Sequence, residues 1–311
     1  MPRLGYLLPT RESVMEGRDA AGPLLALAER AEALGYDSIW IGDSLLARPR
    51  HDPLTLMAAV AARTKKPEIG TAVLLPTLRN PVVLAQQVAT VDRIAEGRII
   101  LGVGIASDLP NIRHEFEAAG VPFEKRVGRF NEGLRLCKAL WSGKPVDWDG
   151  RWKMKGAVLG PTPHRPGGPP LWIPGSVPAA RERAGKLYDG WFPNGPRPDN
   201  YAKGWQEVKD AAKAAGRDPE MLTGAMYVTL AIDDDTAKAN ARMDKYCEAY
   251  YGQPAPVIRK IQTTFAGPKT EAAQWLKGFV DAGASHICIR LVGDHERQLE
   301  IIAGIRRDLG W

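Results

Sequence analysis

Short apolar runs rich in β-branched residues alternate with longer stretches of helical spacing from one end of the chain to the other, and that alternation restricts the fold more than any other feature. The strand-like runs are RLGYLL (3–8), DSIWIG (37–42), EIGTAVLL (68–75), RIILGVG (98–104), PLWIPG (170–175), DGWFPN (189–194), LTGAMYVTLAI (222–232) and HICIRLV (286–292). Helical patterns such as DPLTLMAAVAARTK and NPVVLAQQVATVDRIA lie between them, opening at Pro, Asp, Asn or Thr and often closing on Gly, as helix caps require. Eight such units predict a parallel sheet closed into an α/β (β/α)8 TIM barrel.

A bare barrel takes about 250 residues, so a chain of 311 has a surplus to place in insertions. One runs from Ile105 to about Lys125 after strand 4. A second, before strand 5, runs from about Ser142 to Pro169 and contains VDWDGRWKMKGAVLG, a hairpin pattern turning at Asp149 and Gly150. A third, 252–267, follows the helix after strand 7. No Pro-, Gly- or Ser-rich linker divides the chain, so residues 1–311 read as a single domain.

Hydrophobic residues at 44% and charged residues at 25% describe an ordinary globular protein rather than a disordered one. No long uncharged apolar run occurs, and Pro9 and Arg11 come too early for a secretory signal, so the expectation is a cytoplasmic protein without a membrane role. Cys137, Cys247 and Cys288 are far apart and odd in number, which suggests buried thiols rather than disulfides or a metal cluster. His51, His164, His286 and His295 show no metal-ligand spacing either. The formal net charge of +6 is dispersed, with no basic run carrying interleaved aromatics, so nucleic-acid binding is not expected.

In a parallel barrel the reactive residues sit just past the strand C-termini, where the loops converge on one mouth. Those positions hold Pro9 to Ser13, Asp43 and Ser44, Leu75 to Arg79, Ile105 to Asn111, Ser176 and Val177, Asn194 and Arg290. The turn IPGSVPAARER combines a Gly, a hydroxyl residue and a helix start, so free N–H groups and the positive helix end converge there. Gly175, Ser176 and Val177 then form a phosphate cradle, with Arg181 and Arg183 one turn further on; the same residues would also serve simply to cap a helix. Trp40, Trp172 and Trp191 end strands, where they either line an apolar pocket or pack the core.

The segments DSIWIGDSLL, DPLTLMAAVAARTKKPEIGTAVLLPTLRNPVVLAQQVATVDRIAEGRIILGVG and PLWIPGSVPAARERAGKLYDGWFPN, together with the series from Glu115 to Leu134 and the closing TEAAQWLKGFVDAGASHICIRL, resemble the bacterial luciferase-like monooxygenase and deazaflavin-dependent reductase superfamily over nearly the whole chain. The resemblance implies a cofactor at the barrel mouth, FMN or the deazaflavin coenzyme F420, without a metal. It implies a non-proline cis peptide between Ala72 and Val73 backing the cofactor ring, and adds Asp43 and Gly104 to the cofactor-binding set. Ser44 stands where many deazaflavin reductases carry a His, which removes the usual proton-transfer group. Ser107 or Asp108 falls near an acid of sugar-phosphate-oxidising relatives, and His114 on the following insertion is a further catalytic candidate. The expected function is F420-dependent hydride transfer to or from a small organic substrate. The alternatives are an FMN-dependent monooxygenase fed by a separate flavin reductase, and a barrel that holds flavin without turnover. The resemblance also implies a homodimer through the second and third helices.

Overall fold

The computed structural model describes residues 1–195 and 197–311. In chain order its elements are β1 (Arg3–Leu7), α1 (Thr10–Met15), α2 (Gly22–Ala33), β2 (Ser38–Ile41), α3 (Pro53–Arg63), β3 (Glu68–Leu74), α4 (Pro81–Ile94), β4 (Ile99–Val103), α5 (Pro110–Ala118) and α6 (Arg126–Trp141). They continue with β5 (Val146–Asp149), β6 (Lys153–Ala157), β7 (Leu171–Ile173), α7 (Pro178–Leu187), β8 (Gly190–Trp191), α8 (Pro198–Ala214) and β9 (Thr223–Ile232). The last are α9 (Thr236–Tyr251), α10 (Ala255–Ile261), β10 (Thr264–Gly267), α11 (Lys269–Asp281), β11 (His286–Leu291) and α12 (His295–Asp308).

The parallel strands run β9-β11-β1-β2-β3-β4-β7-β8, and β8 pairs back onto β9 to close an eight-stranded barrel. All eight strand-like runs of the sequence become its staves. Caps fix several intervening helices: Asp52 accepts from Thr55 N at α3, Asn80 from Val82 N at α4 and Asp294 from Arg297 N at α12. Pro at the first turn of α3, α4 and α7 fixes φ where the N–H would have no partner in the helix.

The insertions fall where the surplus was placed, with two differences. Asp149 is not part of the hairpin turn; it pairs with Lys153 as the last residue of β5, and the chain reverses over 150–152. The third insertion contains α10 and a ninth parallel strand, β10, paired with Thr229 to Ile232 of β9. Strand β8 is two residues long, and β10 takes over the free upper half of the ten-residue β9 that β8 leaves uncovered. Helix α1, also absent from the sequence reading, is a six-residue turn after β1.

The barrel lumen is plugged by aromatics. Trp40 is fully buried, with Trp172 at 5.3 Å and Phe192 at 4.9 Å between ring centroids. The neighbouring strands make room for its indole with glycine: a Cβ at Gly5 of β1 or Gly70 of β3 would lie 2.3 Å from Trp40 atoms. The indole N–H donates to Ser38 Oγ at 2.7 Å, and that hydroxyl is 2.7 Å from His286 Nε2. Burial holds His286 neutral, its pKa lowered to about 3. Trp40 and Trp172 therefore pack the core, as does Trp191, which stacks on Tyr201 outside the lumen. The three cysteines are buried and unpaired. Among the described residues no helix is long and apolar enough to cross a membrane, and no group of three or more His, Cys, Asp or Glu is arranged to hold a metal.

Because the indole has no room to retreat, Gly70→Ala should cost about 3 kcal/mol in a urea melt. Gly22→Ala, which meets nothing within 4 Å, should stay within about 0.5 kcal/mol of the parent.

Candidate active site

A cavity of about 430 Å³ opens at the C-terminal ends of the barrel strands. Its lining divides along the strand order. Residues at the ends of β3, β4, β7 and β8 form a largely neutral shelf of Ala72, Val73, Gly104, Ile105, Gly175 and Phe192. Arg48 and Arg50 after β2, Tyr227 on β9, Tyr250 and Tyr251 at the end of α9 and Arg290 on β11 form a facing wall.

The shelf is built on a bulge. Pairing of β3 with β4 shifts between Thr71 and Leu74, and the Ala72–Val73 peptide is cis, as the family resemblance implied. A Cβ on Gly104 would lie 2.7 Å from Val73 Cγ2, so a glycine directly after β4 makes room for the bulge. Asp43 secures it from the side. Its side chain, 1% exposed, takes both Nη1 and Nη2 of Arg79 at 2.6 and 3.0 Å and accepts Leu75 N at 2.8 Å. Asp43 thus lines the cavity while its carboxylate is already engaged.

At the far end of the shelf Gly175 has φ +120°, and a Cβ there would lie 2.6 Å from that of Ala180. Its carbonyl accepts the Trp191 indole N–H at 2.8 Å, which pins the turn to the core. Ser176 and Val177 follow at the exposed N-terminus of α7, beside the cavity lining rather than within it. Arg181 does not reach into the cavity: its Nε donates to Glu207 and its Nη1 to the Ser176 carbonyl, both at 2.6 Å. It braces the turn. A glycine-lined approach leading to an open helix N-terminus fits a flat ring system carrying a phosphate.

Ser44 lines the cavity, but its hydroxyl is committed in both senses. It donates to Glu115 Oε1 at 2.7 Å and accepts the Arg48 N–H at 2.9 Å. Glu115, fully buried on α5, also accepts Leu45 N, Leu46 N at 2.8 Å and Ala47 N at 3.3 Å. One carboxylate therefore ties down the whole 44–47 turn. That turn aims Arg48 and Arg50 at the mouth. Arg50 lies across Gly42, where a Cβ would be 2.1 Å from its Nη1.

Ser107 also reaches the cavity, at its exposed rim. Asp108 and His114 do not. Asp108 forms a bidentate pair with Arg113 at 2.6 and 2.8 Å on the exposed surface, and His114 projects into solvent near Glu117. The reason is the phase of α5, which buries Ile112, Glu115 and Phe116 and so turns His114 outward. Sequence reasoning missed Arg48, Arg50, Tyr227, Tyr250, Tyr251 and Gln262. The pair in LARPRHD just past strand 2 was a usable signal; the tyrosines on the last turn of a long helix gave none.

Glu115→Ala should release the 44–50 segment. The expected result is a stability loss of about 3 kcal/mol in chemical denaturation, because the buried Ser44 hydroxyl and three backbone N–H groups lose their acceptor.

Comparison with known proteins agrees with this architecture. The family model for luciferase-like monooxygenase matches residues 1–310. The chain is 32% identical to an F420-dependent glucose-6-phosphate dehydrogenase of Mycolicibacterium smegmatis over 314 residues, covering 92% of each protein. It is 31% identical to the enzyme of that name from Mycobacterium tuberculosis, covering 89% of this chain and 90% of that one. Among solved structures, an F420-dependent secondary alcohol dehydrogenase in complex with an F420-acetone adduct superposes with a TM-score of 0.82 at 23% identity, covering 98% of each chain. The monooxygenase RslO1 from Streptomyces bottropensis superposes with a TM-score of 0.83 at 22% identity, covering 99% of this chain and 100% of that one. The chain belongs to the luciferase-like monooxygenase family and is an oxidoreductase.

Proposed function

We propose that the protein is an F420-dependent oxidoreductase that transfers hydride between the deazaflavin and a small organic substrate carrying an anionic group. The observation that carries this reading is the division of one cavity into a neutral shelf and a guanidinium wall. Arg48, Arg50 and Arg290 line the cavity, and no ion pair joins any of them to a carboxylate among the described residues. Arg290 is 5% exposed and its Nε has no hydrogen-bond partner. Buried cations without a counter-charge are costly, and an anionic ligand removes that cost.

On this reading Ala72, Val73 and Gly104 back the cofactor ring, and Gly175, Ser176 and Val177 receive its phosphate at the N-terminus of α7. When bound, the deazaflavin supplies a two-electron hydride acceptor or donor. The chain's own part is orientation. Asp43 and Arg79 hold the bulge, Ser44 and Glu115 hold the arginine-bearing turn, and Arg48, Arg50 and Arg290 orient the substrate against the shelf. Ser107 contacts the ligand at the rim. The names of the curated relatives support the choice of F420, and glucose 6-phosphate joins an alcohol to a phosphate, the two groups for which such a cavity has partners. We take residues 1–311 to act as one domain and to form a homodimer through α3 and α4, where α4 presents Val83 and Ile94 to solvent.

Fluorescence titration of the purified protein with F420 and with FMN tests the reading. F420 should bind, and Ser176→Asp should weaken it roughly tenfold by placing a negative charge at the phosphate turn. Binding of FMN alone would favour an oxygen-using monooxygenase served by a reductase, and binding of neither would contradict both.

A further inference from the structure

If the chain moves hydride, a proton must also move, and the position where a His is expected holds Ser44. Its hydroxyl is committed to Glu115 and to Arg48 N–H, and Asp43 is locked to Arg79. His114 lies outside the cavity and His286 under the lumen plug. The titratable groups left on the cavity lining, besides the arginines, are Tyr227, Tyr250 and Tyr251.

Tyr250 differs from the other two. Its side chain lines the cavity, and its oxygen accepts Nη2 of Arg50 and Nη2 of Arg290, each at 3.1 Å. A phenol oxygen has two acceptor sites and one proton to give, and guanidinium groups donate only. Both acceptor sites are therefore taken, and among the described residues no carbonyl or carboxylate accepts the Tyr250 proton. Tyr251 accepts a single bond, from Arg290 Nη1 at 2.8 Å, and the buried Tyr227 hydroxyl has no partner.

Every element packed around Tyr250 contributes to its electrostatics. The turn after β2 brings Arg50, with Arg48 over the adjacent Tyr251 ring, and β11 brings Arg290, whose Cζ is 4.3 Å from the Tyr250 ring centroid. Helix α1 brings Arg11, with Cζ at 4.4 Å, and the carboxylate Glu12, which is bonded to the Tyr246 hydroxyl at 2.6 Å. Tyr246, Tyr251, Tyr227 and Cys288 complete the surroundings, all pushed upward in pKa by burial. Burial pushes Tyr250 upward as well, but Arg290 and Arg50 outweigh it, with Glu12 opposing and Arg11 assisting, and its phenol lies below the ordinary tyrosine range.

We infer that Tyr250 is the proton-transferring residue of this site, with Arg50 and Arg290 as positioning residues that hold its oxygen toward the cavity and stabilise the phenolate. The inference rests on the redox reading above. In oxidation of an alcohol, the carbinol C–H bond breaks with its electron pair leaving as hydride to the deazaflavin, the O–H bond breaks with its proton joining the Tyr250 oxygen, and a C=O double bond remains. Reduction reverses each transfer, with the phenol supplying the proton. Oxidation then needs the phenolate and gains rate as pH rises through the lowered Tyr250 pKa, while reduction loses rate over the same interval.

Ultraviolet titration of tyrosinate in the cofactor-free protein tests the ionisation without any substrate. The parent should show a tyrosine ionising below the ordinary value of about 10. Tyr250→Phe should abolish that step and Tyr251→Phe should keep it, with F420 binding followed by fluorescence unchanged in Tyr250→Phe. With glucose 6-phosphate and 2-propanol as probe alcohols, Tyr250→Phe should lower kcat by about 10²-fold or more, leave KM near the parent value and flatten the pH profile. A titration curve identical in parent and Tyr250→Phe would overturn the inference, as would parental kcat in the variant. Failure of the parent to oxidise either alcohol would count against the redox reading, and the titration would still decide whether Tyr250 ionises as inferred.

Discussion

The fit of one indole into the barrel lumen sets the conditions for the rest of the molecule. Trp40 occupies space that side chains on β1 and β3 would otherwise fill, and Gly5 and Gly70 give way to it. The same accommodation recurs at Trp172, where a Cβ on Gly190 would lie 2.6 Å from the indole. With Trp40, Trp172, Phe192 and neutral His286 packed together, the lumen is closed below the mouth. The cavity at the mouth lies above this plug, where the βα loops meet. The closure also explains why Phe192 belongs both to the plug and to the cavity floor.

Above the plug, buried charges shape two different surfaces. On the shelf side, Asp43 and Arg79 satisfy each other and hold the β3 bulge, so the surface offered to a ligand is backbone and small apolar groups. On the other side, Glu115 accepts through Oε1 from the backbone of residues 45–47 and from Ser44, and among the described residues the arginines that follow pair with no carboxylate. The guanidiniums instead gather around tyrosine rings and hydroxyls. Among the described residues of that cluster the tyrosines that line the cavity are the groups able to become anions there, so the arrangement behind the proposed anionic substrate also favours an ionised Tyr250.

Much of the framework was legible in the sequence because strand and helix periodicities are local. The eight staves, the three insertions and the Gly175 turn all follow from spacing and cap chemistry. The cis Ala72–Val73 peptide was accessible only through family resemblance, since periodicity describes a plain buried strand there. Strand β10 was missed because its pairing depends on how short β8 is, a property visible only in three dimensions. His114 points away from the cavity because the rotational phase of α5 is set by burial of Glu115 and Phe116 rather than by distance along the chain, and Asp108, in the loop before α5, pairs instead with Arg113 on the exposed surface. Tyr250 lies about two hundred residues from Arg50, and no local pattern joins them.

The central claim is that the two halves of one cavity have different occupants, cofactor on the shelf and substrate against the arginines. A crystal structure of the protein with F420 bound tests it most directly. The account predicts the ring against Ala72 and Val73, the phosphate at the turn from Gly175 to Val177, and Tyr250 facing open space beside the ring. A ring seated on Arg48, Arg50 and Arg290, with the α7 turn free of phosphate, would contradict it.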